Sequence, residues 1–254
     1  MAGVHATTTA SVTLPRVIGH RGAAAHAPEN TLASLHAAAA LGVRCVEFDV
    51  RLSRDGHPVL FHDPTVDRTT DGTGLVRDLT LGHLQGLDAG GWFDTRFRGQ
   101  RIPALDDALE LLTMLGLAAN VEIKPDHGGE AEAARVVAKA LSRHRSPWPR
   151  IVSSFSVGTM AAMSRFAPAV PRALLVSRVP DDWRTRLARL GCRALHAAAR
   201  SITRRQVRVV AAAGLSLRCY TVNDEATARK LWSWGVESVF TDDPPALDAP
   251  ANGR

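Results

Sequence analysis

Short β-type runs alternate with Ala/Leu/Arg-rich helical stretches along almost the whole chain, and this alternation constrains the fold more than any other feature. The strand candidates are Arg16–His20, Arg44–Leu52, Ala119–Lys124, Ile151–Phe155, Ala173–Ser177, Ala194–Ala198, Leu215–Val222 and Glu237–Thr241. Helical stretches fall at about 31–41, 105–116, 129–144, 157–166, 181–190, 203–213 and 224–234. Strands separated by helices run parallel, and eight of them close naturally into a barrel. The predicted fold class is therefore α/β, a (β/α)8 TIM barrel, whose usual length of about 250 residues matches a chain of 254.

One segment breaks the alternation. Between Leu52 and Val59 lies Ser53-Arg54-Asp55-Gly56-His57-Pro58, and Asp-Gly is a hairpin-turn signal. A parallel return needs a crossover of a dozen or more residues, so Pro58–His62 is expected to run back antiparallel beside strand 2. That places His62 at the rim where strands 1 and 2 end. The hairpin opens a loop-rich insertion of about 53–104 that could cap the barrel mouth.

Charged groups sit where a core would favour Val or Leu: Gly19-His20-Arg21-Gly22, Glu47-Phe48-Asp49, Phe61-His62-Asp63 and Glu122-Ile123-Lys124. Burying such groups is costly unless they pair with one another or with a metal. Glu47 and Asp49 at i and i+2 share one face of a strand, as do Glu122 and Lys124. An inward direction at the carboxyl ends of the strands, where active sites of this fold lie, lets a cation hold the carboxylates. Glu47, Asp49 and Glu122 supply hard oxygen ligands suited to Mg2+, Ca2+ or Mn2+. The same groups with Arg21 and Lys124 also fit a buried ion-pair network, and His20 and His62 also fit ordinary hydrogen-bonded histidines. Their position beside carboxylates at one rim favours proton transfer. His26, His57, His83 and His144 read as loop or surface residues, and His196 as facing either the mouth or the core. Gly19 and Gly22 permit either an anion contact or a tight turn; Thr73-Gly74 reads as a turn. No dinucleotide fingerprint, Walker A sequence or Gly-x-Ser-x-Gly elbow is present.

The net charge is +6, and lysine occurs only at 124, 139 and 230, so the basic residues are almost all arginines scattered along helices. A nucleic-acid surface would show a basic stripe with stacking aromatics; with 5% aromatic residues no nucleic-acid partner is expected. Cys45, Cys192 and Cys219 show no metal or disulfide spacing and read as free thiols in a reducing compartment. No apolar run is long enough to span a membrane and residues 1–14 lack a secretory pattern, so the expected location is cytoplasmic, without a stable membrane anchor. Residues 1–14 read as a flexible arm, 15–245 as the barrel domain and 246–254 as a flexible tail. The sequence carries no signal for oligomeric state.

An ordered set of motifs gives a specific resemblance: His20-Arg21-Gly22, Pro28-Glu29-Asn30-Thr31, Glu47-Phe48-Asp49-Val50, Phe61-His62-Asp63, Arg68-Thr69-Thr70, Trp92-Phe93, Ile102-Pro103-Ala104-Leu105, Val121-Glu122-Ile123-Lys124-Pro125, Ser153-Ser154-Phe155, Thr221-Val222-Asn223 and Thr241-Asp242-Asp243-Pro244. Over about 16–245 the chain resembles the glycerophosphodiester phosphodiesterase family. The resemblance implies hydrolysis of a small-molecule glycerophosphodiester to sn-glycerol 3-phosphate and an alcohol, with one divalent metal ion bound by Glu47, Asp49 and Glu122. It implies His20 and His62 as the general acid–base pair, and Arg21 with Lys124 as phosphate-binding groups. It also implies attack by the neighbouring glycerol hydroxyl through a cyclic phosphate, in preference to water. Tyr220 stands where the family usually has Trp, so the aromatic wall beside the glycerol changes shape and polarity. Head-group hydrolysis of lysophospholipids and a non-catalytic phosphodiester-binding barrel are the alternative readings on the same scaffold.

Overall fold

The structure is a computed structural model that describes residues 12–247. Eight parallel strands form the barrel: β1 (Val17–Gly19), β2 (Cys45–Leu52), β4 (Ala118–Ile123), β5 (Arg150–Ser154), β6 (Arg172–Val176), β7 (Ala194–Ala198), β8 (Ser216–Tyr220) and β9 (Ser238–Thr241). Pairing runs β1-β9-β8-β7-β6-β5-β4-β2, and β1 pairs again with β2, which closes the ring. The expected hairpin is present: β3 (Pro58–Leu60) lies antiparallel to β2, with Val50 opposite Leu60 and Leu52 opposite Pro58.

Helices α1 (Leu32–Ala40), α3 (Leu105–Met114), α4 (Glu130–Arg143), α5 (Val157–Phe166), α6 (Trp183–Leu190), α7 (Arg204–Ala212) and α8 (Glu225–Trp234) cover the barrel. Local chemistry fixes where they start. Thr31 accepts the Ser34 N–H at the start of α1, Asp224 accepts from Thr227 at α8, and Thr203 with Gln206 forms a capping box at α7. Such caps are worth about 1 kcal/mol each.

Strand alternation divides the molecule into two apolar regions. Val46, Phe48 and Val50 of β2 and Val121 and Ile123 of β4 face outward and join the helices in the main core. Phe48 is fully buried, which contributes about 1.5–3 kcal/mol. The intervening residues face the barrel axis: Cys45 and Ala118 join Ile18, Ile151, Ala173, Ala194 and Phe240 in a separate inner cluster. Glu47, Asp49 and Glu122 continue those two inward rows toward the carboxyl ends. The alternation thus puts the carboxylates inside the barrel, above an apolar floor.

The insertion carries structure of its own: α2 (Leu81–Gly86), two short 3-10 turns, and a third core of Val59, Phe61, Val66, Val76, Leu84, Ala89 and Ile102. Of the expected N-terminal arm, residues 1–11 lie outside the described residues. Leu14 packs into the inner cluster instead, and the Val12 carbonyl accepts from Arg218. At the other end Leu247 is buried in the main core, and residues 248–254 of the expected tail lie outside the described residues. No helix among the described residues is long and apolar enough to cross a membrane.

Candidate active site

The first loop is shaped by two glycines. A Cβ on Gly19 would stand 2.0 Å from the Gly22 carbonyl oxygen, and one on Gly22 would collide with Ser34, at a φ of +88°. This close turn brings the Arg21 N–H to Glu47 Oε2 at 3.0 Å. Arg21 itself has φ +50°, a left-handed conformation that bulky residues adopt only when surroundings enforce it. Its side chain donates to Glu29 Oε1 at 2.7 Å, with Nε 3.5 Å from Asp49 Oδ2. Asn30, also at positive φ, donates to Asp49 Oδ2 at 2.9 Å and accepts the Asp49 N–H at 3.0 Å.

One oxygen from each of Glu47, Asp49 and Glu122 lies within 4.8 Å of the others, and all three residues are buried. Among the described residues this is the one group of three or more such ligands. Glu47 Oε1 is buried and has no hydrogen-bond partner among the described residues. Burial, then the neighbouring Asp49 charge, pushes the Glu47 carboxyl upward, and the same two causes raise Glu122 despite Lys124. A divalent cation would remove both penalties: an orphaned oxygen and a convergent all-oxygen donor set fit a hard metal ion. Lys124 Nζ lies 2.7 Å from Glu122 Oε1 and 3.3 Å from Asp49 Oδ1. Burial works against the Asp49 charge, but Lys124 and Arg21 outweigh it and hold the carboxyl down.

Both rim histidines carry a carboxylate on Nδ1, which fixes the tautomer and makes Nε2 the working nitrogen. His20 Nδ1 meets Asp242 Oδ1 at 2.6 Å, and its Nε2 lies 3.9 Å from Glu47 Oε2. Asp242 Oδ2 accepts from Asn223 Nδ2 at 2.7 Å. His62 Nδ1 meets Asp63 Oδ1 at 2.5 Å, while Arg51 Nε holds the His62 carbonyl at 2.9 Å. Burial lowers both imidazoles. The Asp242 bond and Glu47 reverse this for His20, which is raised overall; Lys124 and Arg21 leave His62 lowered.

Tyr220 is half-buried at the end of β8. Its hydroxyl donates to the Val176 carbonyl at 2.9 Å, and its ring stands edge-on to Phe155 at 6.0 Å. Burial first pushes its hydroxyl up to about 12, with Glu122 adding to the shift. His196 resolves to the core: fully buried, beside Phe240 at 5.0 Å. His26 pairs with Asp243 at the rim, and His144 with Asp106 away from it. Gly74 takes a turn conformation. Glu29, Asn30, Asp63, Arg68, Asn223 and Asp242 were legible as parts of motifs, but their tasks were not. The His20–Asp242 contact spans 222 positions, and no local pattern encodes that.

A model described as the glycerophosphoryl diester phosphodiesterase family matches residues 20–246. A glycerophosphodiester phosphodiesterase of Caldanaerobacter subterraneus subsp. tengcongensis is 34% identical over 91% of this chain and 95% of its own length. A glycerophosphodiester phosphodiesterase of Bacillus subtilis is 31% identical over 89% and 83%. Among solved structures, an Oleispira antarctica phosphodiesterase in complex with the product sn-glycerol-3-phosphate superposes with a TM-score of 0.91, at 40% identity, covering 93% of this chain and 98% of that one. A glycerophosphodiester phosphodiesterase from Agrobacterium tumefaciens gives 0.76 at 29% identity, over 92% and 99%. Fold, site and relatives together define a (β/α)8-barrel phosphoric diester hydrolase. Within that class, the chain belongs to the glycerophosphoryl diester phosphodiesterase family.

Proposed function

We propose that the barrel mouth hydrolyses glycerophosphodiesters to sn-glycerol 3-phosphate and a free alcohol, with His20 and His62 as the general acid–base pair. The observation that carries this reading is the pairing of two carboxylate-backed histidines with a buried three-carboxylate cluster at one rim. A divalent ion held by Glu47, Asp49 and Glu122, of which Mg2+, Ca2+ and Mn2+ all suit oxygen donors, would neutralise charge on a phosphoryl oxygen. Arg21 and Lys124 flank that cluster and supply positive charge for the remaining equatorial oxygens, where charge builds up as the diester is attacked. One histidine takes the proton of the attacking hydroxyl and the other delivers a proton to the leaving alcohol oxygen. Their roles reverse when water opens a cyclic phosphate formed by the neighbouring glycerol hydroxyl. Tyr220 and Phe155 form an edge-to-face aromatic wall suited to the carbon face of the glycerol. The sn-glycerol-3-phosphate complex of the Oleispira relative supports the same product here.

The test is turnover of the purified native, His20→Ala and His62→Ala proteins on glycerophosphodiesters, with sn-glycerol 3-phosphate detected enzymatically, and on lysophospholipids, with the released head-group alcohol detected. Each variant is expected to lose about 10²–10⁴-fold in kcat with an unchanged fold. Near-normal activity in either one overturns the acid–base assignment, and exclusive turnover of lysophospholipids overturns the substrate class.

A further inference from the structure

Arg68 lies in the insertion, five residues beyond Asp63, and its ion pairs go to carboxylates outside the metal-ligand cluster. Its guanidinium donates from Nε to Asp63 Oδ2 at 2.5 Å, from Nη1 to Glu29 Oε2 at 2.9 Å and from Nη2 to Glu29 Oε1 at 2.8 Å. Each of those carboxylates has a second duty. Asp63 receives His62 Nδ1 on its other oxygen, and Glu29 Oε1 also accepts Arg21 Nη1 at 2.7 Å. One planar fork therefore grips both the carboxylate behind a rim histidine and the carboxylate behind a rim arginine. An ammonium group, a single point charge, cannot make this bidentate-plus-one arrangement.

Stability alone does not explain which carboxylates the network joins. Arg68 is 46% exposed, and a bidentate, networked arginine would stabilise the surface with any acidic partners. Its partners lie much deeper, at 12% for Glu29 and 23% for Asp63. We propose that Arg68 is a positioning residue that locks the Asp63–His62 dyad to the Glu29–Arg21 pair, so that the insertion sets the geometry of the mouth from outside it. This rests on the roles proposed above for His62 and Arg21. By sharing the Glu29 charge, Arg68 also leaves more of the Arg21 positive charge available to a phosphate. Removing it frees Asp63 to turn away from His62, which lowers kcat. It also lets Glu29 neutralise Arg21 alone, which raises KM.

The experiment compares Arg68→Ala, Arg68→Lys, Asp63→Asn with Glu29→Gln, and the triple variant, measuring kcat and KM separately at saturating metal, with melting curves. Displacing catalytic groups by about 1 Å costs about 10²-fold, so Arg68→Ala is expected to lose about that much in kcat/KM, split between both constants. Arg68→Lys is expected to recover under a tenth of the loss. Because Arg68 is 46% exposed, free guanidinium ion is expected to reach the vacated position and restore Arg68→Ala, and methylammonium is not. Because Arg68 acts through the two carboxylates, adding Arg68→Ala to the Asp63→Asn/Glu29→Gln background is expected to cost less than about twofold. A multiplicative loss in that background, an Arg68→Ala loss that guanidinium does not relieve, or near-normal activity of Arg68→Ala overturns the proposal. His62→Ala and Arg21→Ala are run alongside. If they stay active, the acid–base and phosphate reading itself has failed; if they are inactive while Arg68→Ala is active, only the positioning role has.

Discussion

Replacing Asp242 by Asn is expected to be at least as damaging as replacing it by Ala, because the neighbouring hydrogen bonds dictate which way the new amide points. Asn223 Oδ1 accepts the Asp242 N–H at 2.9 Å and the Thr241 hydroxyl at 3.0 Å, so Asn223 must present its NH2 to the side chain at 242. That NH2 donates to Oδ2 at 2.7 Å. In Asp242→Asn the amide oxygen takes this donor, which leaves the new NH2 facing His20 Nδ1. The imidazole must then accept at Nδ1 and carry its proton on Nε2, the opposite tautomer. A general base or acid in the wrong tautomer forfeits the contribution of proton transfer, about 10²–10⁴-fold, or about 3 to 5 kcal/mol of barrier. The network also supplies its own reversal. A carboxylate introduced at position 223 would accept where the native amide donates, so the amide at position 242 turns over and presents its oxygen to His20 Nδ1. The double variant Asn223→Asp/Asp242→Asn is therefore expected to recover at least about tenfold over the single one. The assay is initial rate on a glycerophosphodiester with sn-glycerol 3-phosphate detected enzymatically, alongside melting curves. Retention of more than about a tenth of normal kcat by Asp242→Asn, where proton transfer is worth at least 10²-fold, or no recovery in the double variant, refutes the tautomer argument.

Further outcomes follow from the same geometry. Glu47→Gln removes a charged donor from the buried oxygen cluster and is expected to raise the metal concentration for half-maximal activity by at least about 10-fold, since losing even a group that only supports a ligand costs about 10–100-fold; titration of activity against Mg2+, Ca2+ and Mn2+ after chelation checks it. Asp63 faces burial, which raises its pKa, but the Arg68 and His62 hydrogen bonds outweigh this and bring it down to about 2. Its stabilising contribution is therefore fully present above the unfolded carboxyl value of about 3.9 and is lost as pH falls from there toward 2; the acid limbs of melting curves for the native chain and Asp63→Asn should converge in that window. Burial pushes the thiols of Cys45, Cys192 and Cys219 up to about 12. Because the unfolded thiols ionise near about 8.5, stability from keeping them neutral is present below that pH and lost as pH rises toward 12. Thiol reagents at about pH 8, just below that value, should label them only after denaturation, and fast labelling of the folded chain would contradict their burial.

Much of this protein was legible in its residue order because the relevant physics is local. Short β-type runs between helical stretches marked each barrel strand, Asp55-Gly56 marked the hairpin, and the i, i+2 spacing of Glu47 with Asp49 and Glu122 with Lys124 put each pair on one strand face. Backbone stereochemistry and side-chain period decide such features within a few residues. Whether His196 was core or mouth, and what lay behind each histidine, were not local questions. Ring closure through the pairing of β1 with β2 and β9 brings Asp242 to His20, and the fold of the insertion brings Arg68 to Glu29 and Asp63. A hydrogen bond or ion pair acts over a few ångströms of space whatever the separation along the chain. The residues thus determined which chemistry was available, and chain closure decided which groups could work together.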